Sequence, residues 1–276
     1  MQWIAWQLTD SALPTGGFAH SCGLESAVHQ GIVSDTISLE SFGKRVLSQA
    51  VSNILPFVVA GRDASMYKPP DRQEVRVEEE EKLRSQLGEW ARLDRLCHAT
   101  MSNHVTRRAS EATGNALLRV VESTFSETSS TLKALRNYLR KDPTLRGHYA
   151  PLFGFVCGII SGGFEVPMIG RMLLFTILRD LMSAATRLSL VGPFEAATIQ
   201  RRLSIEAEEI IRGTKLSSDV QMDHLTIKYP VMKLNGLNDS KFGEAADFSI
   251  AVWQTDPILD LIQGSHDQLY SRLFVS

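Results

Sequence analysis

Apolar residues recur along most of the chain at the three- and four-residue spacing that places side chains on one face of an α-helix. This spacing predicts a helix over residues 38–60, which Pro56 should kink or interrupt because proline cannot donate the i to i−4 hydrogen bond. A second stripe of the same kind runs from Leu83 to Met101. Both segments therefore favour helices over strands.

Three more apolar segments follow, over residues 148–160, 168–190 and 194–211. A pair of glycines separates the first two, and a Gly-Pro step ends the second and starts the third. Residues 168–190 are apolar on nearly all sides. This pattern predicts the central, buried helix of the fold.

Two polar segments interrupt the helical pattern. Residues 68–81 contain two prolines and end in four consecutive glutamates, which predicts an exposed loop leading into the start of a helix. Residues 216–248 are polar and rich in turn residues, typical of an inserted loop that carries at most a short hairpin. Since no other segment has the alternation of strands, we predict an all-α protein. It should be a single-domain multi-helix bundle over residues 1–276, with a central apolar helix and extended polar loops.

Composition narrows the class of protein. The chain has 276 residues, 43% of them hydrophobic and 22% charged, with a formal net charge of −2. These fractions of hydrophobic and charged residues exclude wholesale disorder. With a net charge near zero, the protein lacks the positive electrostatic field that non-specific nucleic-acid binding requires. The longest clean apolar run, residues 152–160, is too short to cross a bilayer, and the amino terminus has no signal-peptide pattern. We therefore expect a cytoplasmic protein that binds neither nucleic acid nor membrane.

One group of side chains is a candidate metal site: His20, Cys22, Glu25 and His29. Glu25 and His29 are four residues apart and would share a helix face, and thiolate with imidazole suits a late first-row metal. The alternative is structural, with His20 and Glu25 packing a turn and His29 exposed. No repeated ligand motif supports the metal, which favours the structural interpretation.

No recognised motif predicts catalysis. Thr15-Gly16-Gly17 lacks the spacing and the lysine of a phosphate-binding loop, so we interpret the two glycines as allowing a tight turn before a helix. The G-x-S-x-G turn of serine hydrolases is also missing. Convergence of dispersed residues in space is not visible in a sequence.

The last segment, residues 257–276, ends in Tyr270-Ser271-Arg272-Leu273-Phe274. Tyrosine, arginine and phenylalanine are enriched at protein interfaces, which favours a partner-binding tail. An equally good interpretation is that the segment docks on its own core.

Four blocks of the chain together resemble the urease accessory protein family UreF. Residues 6–21, followed by Gly23-Leu24-Glu25, are similar to the opening signature of that family. Residues 107–119, 183–195 and 266–274 resemble its later signatures, in the same order. Arg108 is a departure, since bacterial members commonly carry glutamate at that place.

The resemblance implies an all-α homodimer that takes part in nickel insertion into urease. In that family UreF is a non-enzymatic scaffold that binds UreD, also called UreH, and recruits the GTPase UreG to apo-urease. Nickel is then the cargo of the complex, and no cofactor of this chain is implied. The competing hypothesis is a direct nickel carrier or metal-dependent enzyme that uses His20, Cys22, Glu25 and His29.

The resemblance also implies a set of partner-binding residues. Residues 10–20 should form a rigid turn near a partner surface, and the tail should order on UreD and help present UreG. Arg187, within the apolar central helix, should be buried and hydrogen-bonded to a carboxylate or to carbonyls. Deletion of residues 265–276 should abolish complex formation without unfolding the helical core. The full set is Asp10, Pro14, Gly16, Gly17, Phe18, His20, Glu25, Arg107, Arg187, His266, Tyr270, Arg272, Leu273 and Phe274.

Overall fold

A computed structural model describes residues 2–66, 78–125, 129–160, 163–213 and 256–276, and within these ranges the regular structure is entirely helical. The all-α prediction is therefore confirmed. The polar segment over residues 216–248 and the loop half of residues 68–81 lie outside the described residues. The helices are α1 Gln2–Thr9, α2 Leu24–His29, α3 Thr36–Gln49, α4 Leu55–Met66, α5 Glu78–Thr100, α6 His104–Thr124, α7 Ser129–Lys141, α8 Tyr149–Ile159, α9 Val166–Arg187, α10 Pro193–Gly213 and α11 Pro257–Gly264.

The helix predicted over residues 38–60 spans α3 and α4, joined by one π-helical turn at Ala50–Ile54. The side chain of Asp35 caps α3 by accepting the backbone N–H of Ser38 at 2.8 Å. Pro56 lies in the first turn of α4, directly after the wider π turn. The proline therefore coincides with a π-helical distortion, and the chain stays helical beyond it.

Apolar side chains form two hydrophobic clusters. The first lies among α4, α5, α6, α7 and α8, and its fully buried members include Phe57, Trp90 and Phe153. The second lies among α2, α3, α10 and α11. Helix α9 contributes to both, since Leu173 belongs to the first cluster and Leu174 to the second. The helix that the sequence predicts to be central is thus the link between the two clusters.

The most completely buried helix is α8, in which every residue from Ala150 to Gly158 is buried. It packs closely on α4, because a Cβ atom on Gly154 would lie 1.8 Å from the carbonyl oxygen of Val58. The apolar character of α9, in contrast, extends beyond the core, and Phe175 on its outer face is 48% exposed. The apolar composition of α9 therefore overestimates how much of this helix is buried.

The segment after residue 255 begins as a helix, which the sequence-based prediction treated only as part of a tail. The side chain of Asp256 caps α11 by accepting the backbone N–H of Leu259 at 2.9 Å, and Pro257 occupies the first helical position. An Asp-Pro pair before apolar residues is a helix-start signal that the sequence does contain. A short 3-10 helix, Ser265–Gln268, and an irregular end follow.

Candidate partner-binding surface at the C-terminal tail

The C-terminal tail, residues 265–276, pairs with the segment just before α2. The backbone N–H of Val275 donates to the carbonyl oxygen of Ala19 at 2.9 Å, and the N–H of Ser21 donates to the carbonyl oxygen of Ser276 at 2.7 Å. The Nδ1 atom of His20 lies 2.5 Å from the Oγ atom of Ser276. Two segments that are far apart in the sequence therefore form one structural unit.

A buried carboxylate holds the tail from beneath. One Glu25 oxygen accepts the N–H of Leu273 at 2.5 Å, and the other accepts the N–H of Phe274 at 3.2 Å and lies 2.8 Å from Nε2 of His266. The side chains of Glu25 and His266 are 2% and 0% exposed. Because buried carboxylates are costly unless hydrogen-bonded, these contacts fix the path of the tail. Any effect of Glu25 and His266 on a partner is therefore indirect, through the position of the tail.

Arg187 joins the tail to the N-terminal segment on the molecular surface. Its Nη2 atom donates to the carbonyl oxygen of Phe18, and its guanidinium carbon lies 4.1 Å from the ring centroid of Phe274. The second contact is a cation–π interaction. The expected carbonyl partner of Arg187 is confirmed, but the expectation that Arg187 is buried is wrong, because it lies exposed at the C-terminal end of α9.

An ion-pair network ties the tail to α6. The Nη2 atom of Arg108 donates to both carboxylate oxygens of Asp267, at 2.7 and 2.8 Å. The same carboxylate also lies 2.9 Å from Nε2 of His104 and accepts a hydrogen bond from Nη1 of Arg272 at 3.2 Å. Hydrogen bonds from Arg108 lower the pKa of the Asp267 carboxyl to about 2. The arginine that departs from the bacterial pattern thus has its partner within this chain.

The two glycines before α2 have conformational roles, as predicted. Gly16 has a φ of 79°, in the left-handed region that glycine adopts without strain. A Cβ atom on Gly17 would lie 2.7 Å from a carboxylate oxygen of Asp180, so a side chain there would displace α9 or its aspartate. These constraints place Phe18 in a defined position beside Arg187.

The end of the tail exposes residues 270–273 and then alternates between exposed and buried positions over residues 273–276. Phe274 and Ser276 are buried, whereas Leu273 is 57% exposed and Tyr270 is fully exposed. One set of tail residues therefore docks on the core of this chain, and another set faces solvent. We give the name exposed tail surface to four exposed residues: Tyr270, Arg272 and Leu273 of the tail, and Phe18 of the segment that pairs with the tail.

Three other predicted residues lie elsewhere. The carboxylate of Asp10 accepts the N–H of Ala12 at 2.9 Å within its own turn. Pro14 lines a shallow cavity of about 370 Å³ beside Arg119 of α6. Arg107 is half-buried, and its guanidinium donates to the carbonyl oxygen of Met101. None of these contacts reaches the C-terminal tail.

The candidate metal ligands near the amino terminus do not converge. Among the described residues, no three of His20, Cys22, Glu25 and His29 have their ligand atoms within 4.8 Å of one another. The carboxylate of Glu25 already accepts hydrogen bonds from the tail, and His29 is exposed. Burial raises the pKa of the Cys22 thiol to about 12, which disfavours the thiolate that a metal would need.

Comparison with known proteins identifies the class. The UreF family model matches residues 33–204. The chain is 37% identical over 276 residues to Urease accessory protein F of Arabidopsis thaliana, covering 100% of this chain and 93% of that protein. It is 36% identical over 272 residues to Urease accessory protein F of Oryza sativa subsp. indica, covering 99% and 84%. The fold and these matches define a urease accessory protein.

The chain belongs to the UreF family. The relationship extends to bacteria, since Urease accessory protein UreF of Paenarthrobacter aurescens is 31% identical over 187 residues, covering 66% of this chain and 69% of that protein. No helix in the described ranges combines the length and the apolar character that a membrane span requires.

Proposed function

We propose that this chain is a non-enzymatic scaffold for urease maturation. Together with a UreD-type protein it recruits a UreG-type GTPase to apo-urease, where GTP hydrolysis is linked to nickel insertion. It acts as a homodimer and modulates the GTPase. The observation that carries this proposal is the exposed tail surface, which is backed by buried hydrogen bonds.

The composition of the exposed tail surface supports a role in binding. Tyrosine and arginine are among the residue types that contribute most at the centres of protein interfaces, and phenylalanine is also enriched there. The exposed leucine beside them adds apolar area for a partner to cover. Leaving these apolar groups in water is unfavourable, and a partner that covers them recovers that free energy.

The hydrogen bonds beneath the exposed tail surface also support the proposal. Glu25 fixes the backbone of Leu273 and Phe274, and Asp267 fixes the start of the tail against α6. A surface that is already ordered loses less conformational entropy on binding than a free tail. The tail is therefore suited to present its outer side chains to a partner in one conformation.

The proposal assigns the GTPase reaction to the partner. This chain lacks the sequence of a phosphate-binding loop, and its named relatives are accessory proteins. Nickel is treated as the cargo of the assembled complex.

Co-elution tests the proposal. The chain is co-expressed with UreD-type and UreG-type proteins of the same organism and analysed by size-exclusion chromatography with light scattering. We expect a ternary complex with the wild type, and loss of it with the double variant Tyr270→Ala, Leu273→Ala. The matched control is Ile205→Ala, an exposed apolar residue on α10. A wild-type chain that never co-elutes with the UreD-type protein would overturn the proposal.

A further inference from the structure

Three side chains with metal-binding atoms converge where the end of α5, the middle of α6 and the start of α8 meet, and none of the three belongs to the candidate surface described above. His98 lies near the end of α5, Glu111 lies on α6, and His148 is the residue directly before α8. The Nδ1 atom of His98 is 3.1 Å from Nε2 of His148 and 3.5 Å from a carboxylate oxygen of Glu111. The same oxygen is 4.0 Å from Nε2 of His148. Two helices and the residue before a third therefore supply one potential ligand atom each.

The separations match those between ligands of one metal ion. Metal–nitrogen bonds of about 2.0–2.1 Å put neighbouring ligand atoms about 3.3 Å apart in a tetrahedral site and about 2.9 Å apart in an octahedral site. The distance of 3.1 Å between the two imidazole nitrogens falls between these values. The carboxylate oxygen is slightly farther away, on a side chain that can rotate inward.

The position of His148 is fixed by groups around it. Its second ring nitrogen, Nδ1, lies 3.2 Å from the hydroxyl oxygen of Ser110. That contact leaves Nε2 facing His98, as second-sphere hydrogen bonds do for metal-bound imidazoles. The carboxylate of Asp94 accepts three successive backbone N–H groups, from Arg146, Gly147 and His148, and so fixes the loop that carries the ligand.

The cluster is open to solvent on one side. His148 is fully buried, whereas the side chains of His98 and Glu111 are 32% and 30% exposed. The exposed side gives an ion a path from solvent and leaves room for water to complete the coordination.

We propose that His98, Glu111 and His148 form a binding site for a divalent first-row transition metal ion. Two imidazoles and one carboxylate are the ligand set that suits Zn²⁺ or Ni²⁺. Without an ion, the two histidines share a single hydrogen bond, which needs one protonated and one unprotonated nitrogen at the contact. With an ion, both nitrogens turn lone pairs toward it, and Glu111 supplies the negative charge.

Isothermal titration calorimetry on the untagged full-length chain tests this site, with Zn²⁺ and Ni²⁺ titrated separately. We expect saturable binding of one ion at this site, weakened by at least about tenfold in His98→Gln and in Glu111→Gln, because each variant removes a ligand. Both positions are partly exposed, so circular dichroism and thermal unfolding should show that the variants keep the fold. Ser110→Ala should weaken binding by about 10- to 100-fold by releasing the His148 ring.

The matched control is His29→Gln, which removes an exposed histidine of the other candidate set. It should bind the ions as the wild type does. The visible absorption spectrum of the Co²⁺-loaded chain provides a second readout, and it should change in His98→Gln but not in the control. Either no saturable binding, or binding that His98→Gln and Glu111→Gln leave unchanged, would mean that the cluster is only a hydrogen-bonded pair. Neither readout depends on urease activation, so the site and the proposed scaffold role are tested separately.

Discussion

Glu25 illustrates how one residue controls the position of a distant segment. Its carboxylate accepts the N–H groups of Leu273 and Phe274 and contacts His266, all of them far away in the sequence. The sequence places Glu25 beside His29 on a helix and so raises a metal hypothesis. The structure instead uses it as an internal acceptor, because a buried carboxylate is stable only where donors surround it.

We expect Glu25→Gln to lower the free energy of unfolding by about 1–3 kcal/mol. Glutamine keeps the shape of the side chain but replaces one oxygen with an NH₂ group, which would face the N–H of Phe274 and the ring of His266. Urea denaturation measures the change, and amide hydrogen exchange at Leu273 and Phe274 should become faster. Glu209→Gln, at an exposed position on α10, is the control and should have little effect. Equal stability and unchanged exchange in the two variants would refute the anchoring role of Glu25.

At the scale of elements, the contact between α4 and α8 depends on glycine. A Cβ atom on Gly154 would lie 1.8 Å from the carbonyl oxygen of Val58, and one on Gly61 would lie 2.2 Å from the carbonyl oxygen of Pro151. The two backbones therefore approach each other directly. No rotation of a side chain can relieve such a clash, because the opposing atoms belong to the backbone.

Gly154→Ala should destabilise the protein by at least about 1–3 kcal/mol, since the helices must move apart to admit the methyl group. Thermal and urea unfolding measure this change. The matched control is Gly88→Ala on α5, where an added Cβ meets nothing within 4 Å. That variant should be more stable by about 0.5–1 kcal/mol, because alanine is the better helix former. If both substitutions changed stability in the same direction, the close packing described for α4 and α8 would be incorrect.

The periodicity of apolar residues predicts most of the helices but not their burial. It anticipates α3 with α4, α5, α8, α9 and α10, because each has a long apolar stripe. The short helices α1 and α11 lack such a stripe, although Asp256 and Pro257 mark the start of α11. Burial of α8 depends on glycines at its contact with α4. The spacing of apolar residues within one helix does not show which other helix it packs against.

For the whole molecule, the candidate site depends on contacts between the two ends of the chain. The sequence singles out both ends and, by resemblance, their shared role. It does not show that Ala19 and Val275 pair, or that Arg187 lies on the surface between Phe18 and Phe274. Only the folded arrangement of α2, α9 and α11 brings these groups together. The His98, Glu111 and His148 cluster was missed for the same reason, since its members are far apart in sequence.

The structure also changes the expected effect of removing the tail. Deletion of residues 265–276 would leave Glu25 buried without its donors and would uncover the part of the core that Phe274 fills. The truncated chain should therefore be less stable than the full chain, even if its helical core stays folded as expected from the sequence. Loss of a complex after truncation could not then be assigned to binding alone. Substitutions on the exposed tail surface avoid this problem.

The most direct test of the scaffold role is activation of apo-urease in a mixture of UreD-type and UreG-type proteins, GTP and Ni²⁺. The account predicts that the wild-type chain restores urease activity, that Tyr270→Ala with Leu273→Ala loses most of it at unchanged thermal stability, and that Ile205→Ala retains it. Activity that does not depend on this chain, or a tail variant that activates urease as well as the wild type, would contradict the account.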